Sequence, residues 1–354
     1  MSQESMTRNS NIELLRVILA AGVVFLHLNY SASSGLLYMQ EVTGANRIFS
    51  NITEVLFTSA VDAFLLISGF FMAECSSIKI GKILKLECEV SFFSLVCYGI
   101  AIVFQREGFS FMTLAMNIVP HNYYITFYVC LLALAPFISK LCNNLEQGAF
   151  KQLFKIIIII SVIWPFFVSV LEVVLGGKMT GLSPISLDGD GAGYTLLNFL
   201  AVYMVGMACR KGVIDLKHPL IVLALSAIIL YSWRYIYTGA LVQVAFTYDN
   251  PLVILMALSW FCLFRKMELQ NTKWINLLGK ASLVVYLLHH FVIHLFGLEW
   301  AVGASLPVYI LYQLLIIVVS NIAAIIGMYI YDFVWRAILS IKPIREFMSY
   351  EIKG

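Results

Sequence analysis

Arg16 and His27 stand 11 residues apart in one apolar stretch. At 100° per residue, an α-helix returns over that interval to within about 20° of the same face and rises about 16 Å. A guanidinium and an imidazole on one stripe offer two chemistries. Arginine grips phosphate or carboxylate, and imidazole takes up and returns a proton near neutral pH. Asp62 lies in the next apolar stretch, Ser59-Ala60-Val61-Asp62-Ala63-Phe64-Leu65-Leu66-Ile67-Ser68-Gly69-Phe70. If that stretch runs antiparallel to the first, Asp62 falls within about two turns of the depth of His27. A carboxylate beside imidazole fixes its tautomer and supports the imidazolium, so His27 and Asp62 form a candidate catalytic pair. The plainer reading has Arg16 reaching for lipid headgroups, with His27 and Asp62 bonded to neighbouring helices for structure alone. The face shared by Arg16 and His27 favours the chemical reading.

A second group lies in Tyr286-Leu287-Leu288-His289-His290-Phe291-Val292-Ile293-His294. Tyr286 and His289, at i and i+3, share a face and can line one cavity. His290 and His294 have the i, i+4 spacing that metal sites use. No carboxylate or cysteine accompanies them locally, so no metal site is expected. Glu172 and Arg234 fall near outer helix ends, where an interfacial position is expected. The cysteines, Cys75, Cys88, Cys97, Cys130, Cys142, Cys209 and Cys262, are scattered, with no C-x-x-C pair, and read as free thiols.

The elements that hold these residues follow from composition. Hydrophobic residues make up 61% of the 354 and charged residues only 12%, with a mean hydropathy of +0.89. A soluble domain carries about 25% charged residues, so this chain belongs in a bilayer. The net charge of +3 is small and points to no nucleic-acid partner. Spans of roughly 20 apolar residues are expected near 12–30, 54–74, 88–104, 122–140, 154–175, 194–209, 218–237, 250–264, 281–297 and 307–332. The stretches 194–209 and 250–264 are short, so they either extend into their flanks or lie shielded in the bundle. Pro136 and Pro165 sit inside spans, which membrane helices tolerate.

With the N-terminus inside and about ten crossings, the outer segments hold only Arg47, Arg106 and Lys178 of the 23 lysines and arginines. Arg16 and Arg234 lie within spans, and all the rest, Arg8 included, fall inside. This asymmetry predicts an all-α bundle of about ten transmembrane helices with both termini cytoplasmic. The first span resembles a signal peptide in ending at Ser31-Ala32-Ser33. Its length, Arg16 and His27 favour a retained helix. Residues 1–354 read as a single transmembrane domain with short tails at 1–11 and 336–354, without repeat or linker. The outer loop 176–193 contains Ser183-Pro184 and Asp188-Gly189-Asp190-Gly191. It lacks the closing glutamate of a calcium loop and reads as a solvated turn.

On these residues the chain resembles the membrane-bound acyltransferase-3 family, which includes bacterial polysaccharide O-acetyltransferases. Asn11-Ile12-Glu13-Leu14-Leu15-Arg16 followed by His27 is similar to its Arg-x10-His motif, and Val61 through Ser68-Gly69-Phe70-Phe71 to its second-helix signature. Tyr123-Tyr124 through Pro136-Phe137, Tyr248-Asp249-Asn250-Pro251 and Ser282 through His289 resemble later segments. The chain departs in having Tyr123-Tyr124 where the family often has Trp-Phe. It also has Lys79, Lys82 and Lys85 where the family often has an arginine-rich run, and lysine keeps the charge without the bidentate fork.

The resemblance implies a multi-pass cell-membrane enzyme with no bound cofactor, using acetyl-coenzyme A or another acyl-coenzyme A as co-substrate. The acceptor it implies is a hydroxyl of a cell-surface polysaccharide or lipid-linked glycan precursor. Arg16, Lys79, Lys82 and Lys85 would then face the donor phosphates, and Ser68, Tyr286 and His289 would line the cavity. His27 would serve as general base, or as the carrier of a covalent acyl group, with Asp62 orienting it. Two other classes compete. A glycan or lipid transporter or flippase also needs buried charge, but no inverted repeat or paired broken helices are evident. A membrane scaffold would have no use for Arg16, His27 and Asp62 around one cavity.

Overall fold

Almost every apolar stretch of the chain is helical in the computed structural model, which describes residues 9–30, 35–179, 181–183, 193–236 and 240–354. The helices are α1 (Ser10–Asn29), α2 (Gly44–Phe57), α3 (Ala60–Phe71), α4 (Ile80–Val103), α5 (Phe111–Ile118), α6 (Tyr123–Asn144), α7 (Gln147–Ile158) and α8 (Trp164–Leu175). They continue with α9 (Leu196–Arg210), α10 (Pro219–Ile236), α11 (Ala240–Ala245), α12 (Pro251–Arg265), α13 (Lys273–Phe296), α14 (Leu306–Ser340) and α15 (Lys342–Met348). Two short strands, β1 (Ser77–Lys79) and β2 (Glu351–Lys353), complete the described residues. Arg8, Ser31-Ala32-Ser33 and the stretch from Pro184 through Gly191 lie outside the described residues.

Eight helical segments among the described residues are long and apolar enough to cross a membrane. They are α1, α2 with α3, α4, α5 with α6, α7 with α8, α10, α13 and α14. The chain is a multi-pass membrane helix bundle. Its outward faces carry exposed Leu220, Ile228, Leu311 and Phe333, an arrangement suited to lipid tails. The two short stretches are α9 and α12, 15 residues each. At 1.5 Å per residue they reach about 22 Å, less than a hydrocarbon core of about 30 Å. They lie shielded rather than extended: α9 packs on α3, α6 and α7, and α12 packs on α10, α3 and α1. The run Ala201 to Cys209 is buried without interruption.

Three expectations change. The second stretch begins at Gly44, not near residue 54, and breaks at Thr58–Ser59 into α2 and α3. The break puts Asp62 in the first turn of α3, where the helix dipole favours a carboxylate. The C-terminal residues from 336 onwards, read as a short tail, carry ordered elements. The 35-residue α14 runs on to Ser340, and β2 then pairs antiparallel with β1 through Ser77↔Lys353, Ile78↔Ile352 and Lys79↔Glu351. The fold is therefore all-α apart from this ribbon, whose strands are too short to leave a period in the sequence. Ahead of Pro165, residues Ile159–Ile163 form a π turn. Proline supplies no N–H and crowds the preceding turn, and the wider turn accommodates both effects.

Helices α3 and α9 cross closely. A Cβ on Gly69 would collide with the Tyr203 carbonyl oxygen, and one on Gly206 with that of Leu66. Small residues at facing positions let two backbones approach within the membrane. Gly206→Leu should therefore force the helices apart and destabilise the protein by about 1–3 kcal/mol. Gly148→Leu, on α7 with open space around it, should not. Unfolding of both variants in detergent checks this, and equal stability would contradict it.

Candidate functional site

A cavity of about 520 Å³ opens among α1, α3, α4, α6 and α13. Helix α1 contributes Arg16, Ala20 and Val23, and α3 contributes Val61, Phe64 and Ser68. Helix α4 adds Lys82, Lys85 and Glu89, α6 adds Tyr124 and Tyr128, and α13 adds Gly279, Lys280, Ser282 and Tyr286. Arg16, Ala20 and Val23 follow one another at i, i+4 and i+7, the single helical stripe expected from the Arg16–His27 spacing.

The cations of the cavity wall are held in different ways. Arg16 Nη1 lies 3.1 Å from Glu13 Oε1, one turn back on the same helix. Lys85 and Lys280 converge on Asp332 of α14, at 2.6 and 2.9 Å. Lys82 lines the same wall and is in none of the ion pairs among the described residues. Ser68 Oγ donates to the Phe64 carbonyl at 3.0 Å and lies 3.3 Å from the Tyr128 hydroxyl. Tyr124 stacks on Tyr128 with ring centroids 5.9 Å apart and meets Tyr286 edge-on at 5.4 Å. Tyr286 Oη donates to Asn122 Oδ1 at 3.1 Å. The same oxygen accepts from the Ile125 N–H and caps α6. Farther along, Asn250 caps α12 through Leu252 N and donates to the Ala245 carbonyl, which accounts for the Asn250-Pro251 pair.

His27 follows Val23 by one turn, just beyond the cavity wall. Its ring centroid lies 4.7 Å from that of His289 and 4.2 Å from that of His290. The two α13 rings are themselves 4.4 Å apart. His289 is buried, and its Nδ1 lies 3.2 Å from the Val285 carbonyl oxygen. A carbonyl only accepts, so Nδ1 carries the proton and Nε2 keeps its lone pair. That Nε2 is buried without a hydrogen-bond partner. The ligating nitrogens of the three histidines lie within 4.8 Å of one another. The metal-type pair weighed from sequence was His290 with His294, but His294 Nδ1 instead faces the His290 carbonyl.

Several sequence expectations need correction. Lys79 sits exposed in β1 and is not on the cavity wall, because the ribbon ends before the α4 face that carries Lys82 and Lys85. His289 lies behind Tyr286, with ring centroids 5.9 Å apart, not on the wall beside it. Asp62 makes no hydrogen bond to His27. It is fully buried, and neither carboxylate oxygen has a hydrogen-bond partner. Lys280, Glu89 and Tyr128 were not read as site residues. Lys280 and Tyr286 are six residues apart on α13, about 120° round the helix, so helical spacing gave no signal that they share a wall. Arg234 was read as interfacial, yet it faces a second cavity beyond the histidines.

A charge at mid-membrane costs about 2.5–3.5 kcal/mol on insertion scales. Asp62→Asn keeps the shape and removes the charge. Its stability should therefore match or exceed wild type, and unfolding in detergent measures this. A loss above about 2 kcal/mol would mean the carboxylate has an essential structural partner.

The family model described as an acyltransferase domain, Acyl_transf_3, matches residues 9–336. Neither a curated protein nor a solved structure matches the chain. The matched residues take in the cavity, the three histidines and the membrane-spanning segments as far as residue 336, and the chain belongs to the acyltransferase-3 family of membrane acyltransferases.

Proposed function

We propose that the protein transfers an acyl group, acetyl in the first instance, from acyl-coenzyme A to a hydroxyl of a cell-surface polysaccharide or lipid-linked glycan precursor. The observation that carries this reading is the α1 stripe, with Arg16, Ala20 and Val23 along the cavity wall and His27 one turn farther on. In the proposed topology of ten crossings with both termini cytoplasmic, the Arg16 end opens to the cytoplasm across the cell membrane. Coenzyme A is a cytoplasmic polyanion, and a mouth carrying Arg16, Lys82, Lys85 and Lys280 suits its phosphates. The tyrosine-lined wall beyond suits the uncharged pantetheine arm.

In the proposed reaction His27 removes the proton from the acceptor hydroxyl as its oxygen attacks the thioester carbonyl. The tetrahedral intermediate collapses, the carbon–sulfur bond breaks, and the thiolate takes the proton from the His27 imidazolium. His289, with Nδ1 committed to Val285, can receive a hydrogen bond from His27 on Nε2 and so hold its orientation. Asp62, which makes no hydrogen bond to His27, takes no direct part in this step. In the covalent variant, a His27 nitrogen attacks the thioester carbonyl, the carbon–sulfur bond breaks and coenzyme A leaves as its thiol with the imidazolium proton; the acceptor oxygen then takes the acyl group and its proton returns to His27. Acylated enzyme trapped without acceptor would single out that route.

His27→Ala, stably inserted, should lose about a thousandfold in transfer rate. Lys82→Gln should raise KM for acyl-coenzyme A about tenfold with little change in kcat, since it removes ground-state binding. Lys79→Gln should change neither. Kinetics on purified protein checks all three. Full transfer by His27→Ala would overturn the reading, and glycan movement without acyl-coenzyme A would replace it with a transporter.

A further inference from the structure

A second cavity, of about 710 Å³, opens beyond the histidines. Tyr30, which ends α1, is on its wall. It lies three residues past His27, about 4.5 Å farther along the axis. The wall also carries Arg47, Glu54, Arg234, Gln243 and Phe246. Arg234 is central. Its guanidinium sits 5.6 Å from the centroid of the Tyr30 ring and 5.5 Å from that of Phe246. Nη2 donates to the Tyr30 hydroxyl at 2.7 Å, while Nη1 is buried with no hydrogen-bond partner. Arg47 is exposed and, among the described residues, makes two long side-chain bonds, 3.4 Å each, to the carbonyls of Val42 and Leu37. Among the described residues Glu54 is the one carboxylate on this wall, and it already accepts from Asn29 Nδ2 at 3.1 Å.

An arginine placed for structure alone has its nitrogens satisfied, because an unpaired buried donor is costly. Here the ring contacts and the Tyr30 bond fix the guanidinium on the cavity wall, with Nη1 buried and Glu54 near enough to feel its charge. A guanidinium held in this way is preorganised for an oxyanion. The tyrosine faces and the Gln243 and Glu54 side chains are suited to sugar rings and hydroxyls. The two arginines and single glutamate leave the wall with an excess of positive charge.

We infer that this second cavity is the acceptor subsite and that it selects a sugar bearing an anionic group, a carboxylate or a phosphate, received by Arg234 with Arg47. Its role as acceptor subsite rests on the transferase reading above, whereas its preference for anionic sugars does not.

The test uses the full chain in phosphatidylcholine nanodiscs, titrated with methyl β-glucoside, methyl β-glucuronide and methyl β-glucoside 6-phosphate, which differ only at carbon 6. At least one anionic glycoside should bind about tenfold more tightly than the neutral one. Whichever is preferred identifies carboxylate or phosphate as the recognised group. Arg234→Gln should cut the preference below about threefold, and Arg47→Gln, at an exposed position, should reduce it in part. His27→Ala should lose transfer and keep the preference. Equal binding of the three, or no binding up to about 10 mM, overturns the inference, and so does a preference that survives Arg234→Gln. Loss of all glycoside binding in phosphatidylglycerol nanodiscs also overturns it, assigning the cavity to a lipid headgroup. An anionic preference in a protein that transfers no acyl group would sink the transferase reading and leave this one standing.

Discussion

The contact between α1 and α13 is the one on which the rest of the site depends. At one end, Gly279 lies so close to Glu13 that a Cβ there would collide with its side chain. Glu13 in turn holds Arg16. At the other end, the same two helices bring His27 against His289 and His290. Between these ends, Ala20 and Val23 of α1 and Ser282 and Tyr286 of α13 share one cavity wall. A glycine at the crossing and small residues along it let the helices run close enough to pass a single stripe from a basic mouth to an imidazole cluster.

The bilayer makes that arrangement selective. Lipid offers nothing to a buried polar atom, so each such atom must find a protein partner or serve a ligand. Most follow the first course. Asn29 bonds Ser50, Thr53 and Glu54, Lys85 and Lys280 share Asp332, and Ser50 bonds Tyr309. The exceptions include Asp62, His289 Nε2 and Arg234 Nη1. His289 belongs to the histidine cluster on α13, whereas Asp62 lies on α3 and Arg234 on α10. In the proposed reaction His289 and Arg234 mark where a transferred group and its acceptor complete what the fold leaves open.

The Arg16–His27 stripe was legible in the sequence because it depends on one helix and its period. So were the two short helices, since stretches too brief to span must be covered by others. What depended on packing between helices was not legible. Residue counting placed Asp62 near the depth of His27, but which side chains α3 packs against was not countable, and the carboxylate makes no hydrogen bond to His27. Lys79 shared a charge run with Lys82 and Lys85 and differs only because residues 351–353 capture its backbone in a ribbon. Arg234 looked interfacial because nothing local told that Tyr30, from 204 residues earlier, would meet it.

The account's central claim is that donor and base meet along α1. A cryo-EM structure with a non-hydrolysable acyl-coenzyme A analogue tests it most directly. The account predicts phosphates against Arg16 and Lys82, the pantetheine arm past Tyr124 and Tyr286, and the carbonyl mimic within about 3.5 Å of His27. An analogue bound in the cavity beside Arg234, or one whose carbonyl points away from His27, would contradict it.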